Sequence, residues 1–283
     1  MKYNFLRFPG GKPKAVTLSY DDGCPEDAKL YEVLEKYGMK CTFNLVAQRI
    51  LDGNGLEASF IRDKILASGH EIANHGLLHR AQDTLRPIEG IRDVLDCRLV
   101  LEKEFGIMVR GMAYPDRRID KFSIPEKYKA IKSYLEDLDI AYARSLGDPS
   151  GKFDLPDDWL CWVPTCHHKH PDIMKFIDSF LDFDESNAYI ASRVPKLFYM
   201  WGHSFEFERD KNWELLDDIC VRLSGHEDIW YATNMEIYNY VSAYRSLIYS
   251  ADGKRVYNPT LYDIWFDVDK TMHHIAPGEF VNI

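Results

Sequence analysis

The chain has 283 residues and a formal net charge of −10, because 45 acidic side chains outnumber 35 lysines and arginines. Hydrophobic residues make up 46% of it, which indicates a globular protein and excludes an intrinsically disordered one. The acidic balance argues against non-specific binding to nucleic acid or to an anionic membrane, so we expect neither as a partner. A chain of this length buries enough surface to fold as one α/β domain without disulfide bonds.

Sequence signals of the cell compartment favour the cytoplasm. No apolar run approaches the roughly 20 residues of a membrane-spanning helix. The first residues, MKYNFLRFPGGKPK, lack the apolar middle region and cleavage site of a signal peptide, although earlier removal of a secretion signal would leave the same start. The six cysteines have no paired spacing, which favours free thiols in a reducing compartment.

Strand-like and helix-like segments alternate along the chain. Amphipathic helices lie between most of the strands; Leu30, Val33, Leu34 and Tyr37, for example, follow the spacing of one helix face. Repeated βα units predict a mostly parallel sheet, and seven or eight units favour its closure into an α/β barrel similar to a TIM barrel. The predicted strands are 15–20, 41–47, 70–74, 110–114, 140–146, 159–165, 196–202 and 228–233.

The end of the chain changes character. Residues 250–283 contain short β-like runs separated by turn residues, and no helical periodicity continues through them. We interpret this segment as a small C-terminal β appendage packed on a barrel formed by residues 1–249. No linker rich in serine, glycine or proline divides the chain.

Polar side chains follow two of the predicted strands, where the active sites of α/β barrels lie. Asp21 and Asp22 end the first strand, and His75 and His79 follow the third. Two imidazoles four residues apart on a helical turn can reach one ion, and one of the two carboxylates would complete a His₂Asp site with an open position for water. The other carboxylate could then accept a proton from that water. His70 is interpreted as a core histidine.

These motifs resemble those of the polysaccharide deacetylases, the NodB-like carbohydrate esterases. The stretch SYDDG, residues 19–23, is similar to the first motif of that family, and GHEIANHGLLHR, residues 69–80, resembles the second. The stretch WGHSFE, residues 201–206, resembles the last motif. The resemblance covers roughly residues 12–235.

The resemblance implies a role for each matching residue. Asp21 corresponds to the catalytic base, Asp22, His75 and His79 to the metal ligands, and His203 to the general acid that protonates the leaving group. It implies a distorted barrel, often with seven strands, and hydrolysis of an N-acetyl or O-acetyl group on a sugar. The implied cofactor is a divalent metal, usually zinc and sometimes cobalt or nickel.

The third motif departs from the family pattern. Its usual arginine and tyrosine are replaced, in RGMAYPDRR, by Ala113 and Asp116, and the main-chain N–H of Asp116 could still bind an oxyanion of the substrate. Arg110 would fit only in a shifted register. We hypothesise that Arg144, at the end of another strand, projects into the substrate-binding site and pairs with Asp21 instead. The fourth motif is not clearly present.

The stretch TCHHKH, residues 165–170, has several open interpretations. It could be an ordinary polar loop, it could place His167 or His168 in contact with the sugar, or Cys166, His167, His168 and His170 could bind a second metal. Trp201 could stack on a sugar ring, although buried aromatic residues are commoner. Glu206 is near enough in sequence to orient His203, but exposure of its side chain to solvent fits the sequence equally well.

The sequence leaves three functions open. The first is a metal-dependent carbohydrate deacetylase whose substrate is an acetylated oligosaccharide or sugar conjugate. The second is a metal-dependent hydrolase of amide bonds in non-sugar compounds, and the third is an inert carbohydrate-binding relative. Asp21 and His203 argue against the third, because an inert relative has no chemical need for them. The particular substrate, the metal and the oligomeric state are not specified by the sequence.

Overall fold

The computed structural model describes residues 2–147 and 151–283. Its strands are β1 (Asn4–Arg7), β2 (Lys14–Asp22), β3 (Cys41–Leu45), β4 (Glu71–Asn74), β5 (Gly111–Ala113), β6 (Tyr142–Arg144), β7 (Cys166–His167), β8 (Lys196–Gly202), β9 (Ile229–Tyr231), β10 (Ile248–Tyr249), β11 (Arg255–Tyr257), β12 (Ile264–Val268), β13 (Thr271–Ile275) and β14 (Phe280–Asn282). Its α-helices are α1 (Asp27–Lys36), α2 (Ala47–Asp52), α3 (Ala58–Phe60), α4 (Pro87–Phe105), α5 (Pro125–Asp137), α6 (Ile173–Leu181), α7 (Ser204–Asp210), α8 (Trp213–Leu223) and α9 (Asn234–Arg245). A π-helix covers Ile61–Leu66, and 3₁₀ helices cover Gln82–Thr84, Trp159–Cys161 and Ile190–Ser192.

A curled parallel sheet forms the centre of the molecule. Its strand order is β6-β5-β4-β3-β2-β8-β7, and β9 pairs with the beginning of β2. Every residue of β2 is buried, as expected for a parallel strand covered on both faces. The predicted fold class, a distorted (β/α)7–8 barrel, is confirmed. Parallel strands bring their carboxyl ends to one edge, so the polar residues after β2, β4 and β8 meet there.

The edges of the sheet approach each other through the segment after β6. The Trp162 N–H donates to the carbonyl of Ala143 at 3.0 Å, and the Trp162 carbonyl accepts from the N–H of Ser145 at 2.9 Å. Four residues later the same segment becomes β7, which pairs with β8. One short stretch therefore connects the two edges of the curled sheet.

The predicted strand at 159–165 is wrong for most of its length. Residues Trp159–Cys161 form a 3₁₀ helix, and a single parallel bridge joins Trp162 to Arg144. The Asp158 carboxylate accepts from the N–H of Leu160 at 3.1 Å, which stabilises the helical turn at its start. The strand begins only at Cys166.

Helices pack around the sheet. The face of α1 predicted from its spacing buries Leu30 and Leu34 against the main core, which also contains Leu216 and Ile219 of α8. After α1 the chain turns at Gly38, whose φ of 64° favours glycine because other residues are strained there. Among the described residues, no helix combines the length and apolar composition that crossing a membrane requires.

The C-terminal residues form two small antiparallel sheets. Strand β12 pairs with β1 and β13, whereas β11 pairs with β10 and β14. Buried Arg7 of β1 forms ion pairs with Asp267 at 3.2 Å and with Glu185 at 2.6 Å. The appendage therefore joins the N-terminal strand as well as the barrel, and its predicted boundary at residue 250 stays a prediction.

Candidate active site

The adjacent carboxylates at the end of β2 face different surroundings. Asp21 still has extended pairing, opposite Asn44 of β3, whereas Asp22 has a φ of 83°, in the left-handed region that is costly for a residue with a Cβ atom. Gly23 follows with a φ of 70°. This turn directs Asp21 towards Arg144 and Asp22 towards two histidines.

Asp22, His75 and His79 converge on one point. The Asp22 Oδ1 atom lies 3.4 Å from His79 Nε2 and 3.6 Å from His75 Nε2. Tetrahedral ligand atoms placed about 2.1 Å from a zinc ion are themselves about 3.4 Å apart, so the spacing matches a zinc site. We refer to these three residues as the β2–β4 cluster.

The hydrogen bonds around the β2–β4 cluster leave its atoms free for a cation. His75 Nδ1 donates to the carbonyl of Ala113 at 2.9 Å, so its Nε2 carries the lone pair that faces Asp22. The Asp22 Oδ1 atom is buried and accepts no hydrogen bond from the described residues. Such a buried carboxylate oxygen needs a cationic or hydrogen-bonding partner, and a divalent metal fits this set of donors.

Asp21 is buried and held in its charged form. Its Oδ2 atom accepts a hydrogen bond from Arg144 Nη2, as hypothesised from the sequence, and its Oδ1 accepts from Asn44 Nδ2 at 2.8 Å. Burial raises the pKa of Asp21, but the charges of Arg144, His75 and His203 outweigh it and lower the pKa below its usual value. Asp21 is therefore ionised at neutral pH.

His203, like His75, lies close to Asp21 Oδ2. Its Nε2 atom is 4.0 Å from Asp21 Oδ2, and its Nδ1 atom is 3.3 Å from Glu206 Oε2 on the following helix. Burial lowers the pKa of His203, but the hydrogen bond to Glu206 and the charges of Asp21 and Asp22 raise it above its usual value. His203 can therefore carry a proton towards Asp21 near neutral pH.

A small polar cavity of about 170 Å³ joins these groups. Asp21, Arg144 and His203 line it together with the two histidines of the β2–β4 cluster. Its described lining consists of Asp21, His75, His79, Tyr114, Asp116, Arg144, Leu146, Trp201 and His203.

Two residues predicted to bind substrate lie beside this cavity. Asp116 adopts a φ of 61°, and its exposed carboxylate is 3.6 Å from His79 Nδ1. The Trp201 ring lies under the Arg144 guanidinium at 4.4 Å, so one ring face is already covered. Their roles in binding stay predictions. Arg110 pairs with Asp139 at 2.8 Å on the surface and does not take the place of the family arginine.

The third substrate-binding prediction concerns His167, whose side chain turns towards Glu206. His167 Nε2 lies 3.0 Å from Glu206 Oε2, and His167 is absent from the cavity lining among the described residues. The alternative second metal site at residues 166–170 is not assembled, since His170 Nδ1 instead accepts the N–H of Asp172 at 3.1 Å. In the described part of the chain, the second group that could bind a metal is His167, His203 and Glu206.

Sequence reasoning missed several groups at the site. Asn44 bonds Asp21, but its only sequence signal is a polar residue within the apolar run CTFNL. Arg49, from α2, lies 3.5 Å from Asp22 Oδ2. Tyr114, in the altered third motif, and Leu146, outside every motif, line the cavity although neither was predicted to do so. Their positions follow from strand register and loop path, which no local pattern specifies.

Comparison with known proteins agrees with this geometry. Residues 9–130 match the family model described as polysaccharide deacetylase. A structure from Mycobacterium smegmatis described as a polysaccharide deacetylase is 16% identical, with a TM-score of 0.57, over 87% of this chain and 96% of its own. The Puue allantoinase is 14% identical, with a TM-score of 0.56, over 82% and 91% of the two chains.

Another similar structure is a mutant of BA3943, a CE4 family pseudoenzyme with restored enzymatic activity. It is 14% identical, with a TM-score of 0.51, over 83% of this chain and 70% of its own. At such identities the structural likeness shows a shared fold. The family match covers the β2–β4 cluster and Asp21, and it agrees with the expectation of a deacetylase-like enzyme. The resemblance predicted from the motifs is thus confirmed, and residues 9–130 carry the pattern of the polysaccharide deacetylase family.

Proposed function

We propose that the protein is a metal-dependent hydrolase that removes N-acetyl or O-acetyl groups from a carbohydrate, either an oligosaccharide or a sugar conjugate. The observation that carries this proposal is the arrangement around the cavity. The β2–β4 cluster has the spacing of metal ligands, and Asp21 and His203 line the same cavity with Oδ2 and Nε2 4.0 Å apart. The family match of residues 9–130 supports the same reaction class.

Asp22, His75 and His79 would hold the metal. Two imidazoles and one carboxylate favour zinc, and cobalt or nickel would accept the same donors. When bound, the cation supplies a Lewis acid that activates water and polarises the acetyl carbonyl. The hydrogen bond from His75 to the carbonyl of Ala113 fixes the ring with Nε2 near Asp22 Oδ1, where it would be available to hold a cation.

Asp21 and His203 would handle the protons. Arg144 keeps Asp21 ionised, so its carboxylate can accept a proton from the attacking water. His203, which retains a proton near neutral pH because of Glu206, can deliver one from Nε2 to the leaving nitrogen or oxygen. Asp21 would accept the proton of the attacking water and His203 would protonate the leaving group, although the two side chains lie only 4.0 Å apart.

The developing negative charge on the carbonyl oxygen needs a further donor. We assign this role to the main-chain N–H of Asp116, a residue that lines the cavity and occupies the position of the family tyrosine. Because the donor would be a backbone group, the replacement of the tyrosine side chain need not abolish it.

A second candidate is hydrolysis of an amide in a small non-sugar compound. The cavity, about 170 Å³, is smaller than the roughly 300–1,000 Å³ that is typical of ligand pockets. The Puue allantoinase, whose name denotes a non-sugar substrate, shares the fold. The altered third motif is compatible with a changed substrate.

The test is a hydrolysis assay on protein loaded with zinc, cobalt or nickel. Acetylated chito-oligosaccharides and xylo-oligosaccharides are compared with small acyl amides and allantoin, and release of acetate or amine is measured. Acetate release from the sugars that disappears in Asp21→Asn supports the deacetylase. Turnover of only the non-sugar amides supports the second candidate. Sugar binding without turnover by any metal form would overturn both.

A further inference from the structure

Three imidazoles surround one oxygen of Glu206. The distances from Glu206 Oε2 are 3.0 Å to His167 Nε2, 3.3 Å to His203 Nδ1 and 3.4 Å to His168 Nε2. We refer to Glu206 and these histidines as the Glu206 cluster. Its ligand-like spacing raises the question of whether it binds a cation or performs another task.

The hydrogen bonds of His167 answer this question. His167 Nδ1 accepts the main-chain N–H of Lys169 at 3.1 Å, so in the neutral ring the proton must be on Nε2. The Nε2–H group then donates to Glu206. A protonated nitrogen has no lone pair for a metal, and moving the proton to Nδ1 would set two N–H groups against each other. His75 shows the reverse arrangement, with Nδ1–H donating to a carbonyl.

The position of His167 is fixed by the sheet. Residue 167 of β7 is paired with Trp201 of β8, and the two rings lie 4.5 Å apart. The next residue, His168, is completely buried against Phe207 and Gly202. Burial lowers the pKa of His168 to about 3, so it adds no positive charge to the cluster.

We propose that His167 is a positioning residue for the general acid: by donating to Glu206, it fixes the carboxylate that orients His203. This role rests on the proposed function, in which His203 protonates the leaving group. Glu206 Oε2 receives Nδ1–H of His203, which leaves Nε2 directed at Asp21 and the cavity. Lys169 and Arg209 hold the other oxygen of Glu206, at 3.8 Å and 3.3 Å.

The charges around the Glu206 cluster are consistent with this role. Burial raises the pKa of Glu206, but its hydrogen bonds to His167 and His203 outweigh that effect and lower the pKa well below the usual value, so the carboxylate is ionised. The titratable groups that face His203 are Asp21 and Asp22 from β2, Glu206 from α7, and His167 and His168 from the β7 segment.

Kinetics of two variants and one control test the role. In His167→Phe the ring packing on Trp201 is kept but the N–H is lost, so we expect kcat to fall about tenfold with KM and metal content unchanged. The apparent pKa of the acidic group should rise, because Glu206 then interacts with His203 alone. In Glu206→Gln the lost negative charge should lower that pKa by about one unit, with a larger fall in kcat.

The control is His170→Phe, which changes a histidine of the same loop outside the Glu206 cluster. It should change neither kcat nor the apparent pKa of the acidic group. Opposite pKa shifts in the two test variants would support positioning, since a purely structural role does not predict them. An unchanged kcat and pH profile in a folded His167→Phe would overturn the proposal.

Nitrogen NMR of the imidazoles gives a reading that does not depend on turnover. In ¹⁵N-histidine-labelled protein we expect His167 to carry its proton on Nε2. In the Glu206→Gln variant we expect His203 to lose its preference for a proton on Nδ1. A His167 proton on Nδ1 would overturn the proposal even in an active enzyme. If the protein hydrolyses none of the substrates but His167 still carries its proton on Nε2, the hydrogen bond from His167 to Glu206 stands and the proposed function is refuted.

Discussion

Two clusters of imidazoles and carboxylates flank Asp21, and their atoms are spaced almost equally. In the β2–β4 cluster the carboxylate oxygen lies 3.4 and 3.6 Å from two imidazole nitrogens, and in the Glu206 cluster the nearest two are at 3.0 and 3.3 Å. The difference lies in the opposite nitrogen of each ring. His75 donates from Nδ1 and so offers a lone pair, whereas His167 accepts at Nδ1 and so offers a proton. Ligand-like spacing alone therefore does not identify a metal site.

The largest effect is expected from variants of the β2–β4 cluster, which test whether this cluster alone binds a metal. Asp22→Asn or His79→Gln removes a ligand, so we expect bound zinc to be lost and activity to fall at least about 1,000-fold, because the Lewis acid supplies several kcal/mol. His167→Phe should retain one zinc per chain. Elemental analysis after dialysis measures both results. Two zinc ions per chain, one of which is lost in His167→Phe, would contradict the assignment of the two clusters.

The next effect concerns Arg144, which holds Asp21, the carboxylate between the two clusters, and covers Trp201. Arg144→Met leaves a buried carboxylate without its partner, so we expect about 3 kcal/mol lower free energy of unfolding and about 100-fold lower kcat with metal retained. Urea unfolding and acetate release measure these quantities.

Two further variants separate stability from catalysis at Arg144. The double variant Asp21→Asn with Arg144→Met removes the unpaired charge, so it should recover stability without activity. Arg110→Met is the matched control, because its partner Asp139 is exposed, and its effect should stay below about 1 kcal/mol. Full turnover in a folded Arg144→Met would refute the role of this arginine.

The parts of the site that sequence could predict are those set by short motifs. Asp21 and Asp22 end one strand and His75 and His79 follow another, so their meeting at one edge follows from parallel pairing. Arg144 was reached by the same reasoning, since β6 ends at that edge. The fold class also follows from the alternation of strands and helices.

The remaining features depend on long-range register. The hydrogen bond from His167 to Glu206 requires β7 to pair with β8 at residues 167 and 201. That pairing depends on the path of the preceding residues 159–165, which the sequence wrongly predicted to be a strand. The side-chain turn at Asp158 prevented that strand, and apolar periodicity does not report such a turn. The proton position on His167 depends on one backbone N–H, which has no sequence signal.

A third carboxylate sharpens the comparison, because Asp27 is as deeply buried as Asp21 but has no arginine beside it among the described residues. Burial raises the pKa of Asp27 to about 8, and the charges of Asp22, Glu26 and Asp21 add to this, although Ser204 opposes it. The folded protein therefore keeps a proton on Asp27 that the unfolded chain loses above about pH 4. As the pH rises from about 4 to 8, this group progressively lowers the stability of the folded state.

Replacing Asp27 with asparagine removes that pH dependence. In metal-free protein we expect Asp27→Asn to exceed the wild type in free energy of unfolding by on the order of 3 kcal/mol at pH 7, and by much less at pH 4.5. Urea unfolding at both pH values measures the difference, with Asp218→Asn, an exposed position on α8, as the control. An equal difference at both pH values would show that Asp27 is ionised in the folded protein. Burial without a cationic partner would then not suffice to keep a carboxyl group neutral at this site, and Arg144 would not be what distinguishes Asp21 from Asp27.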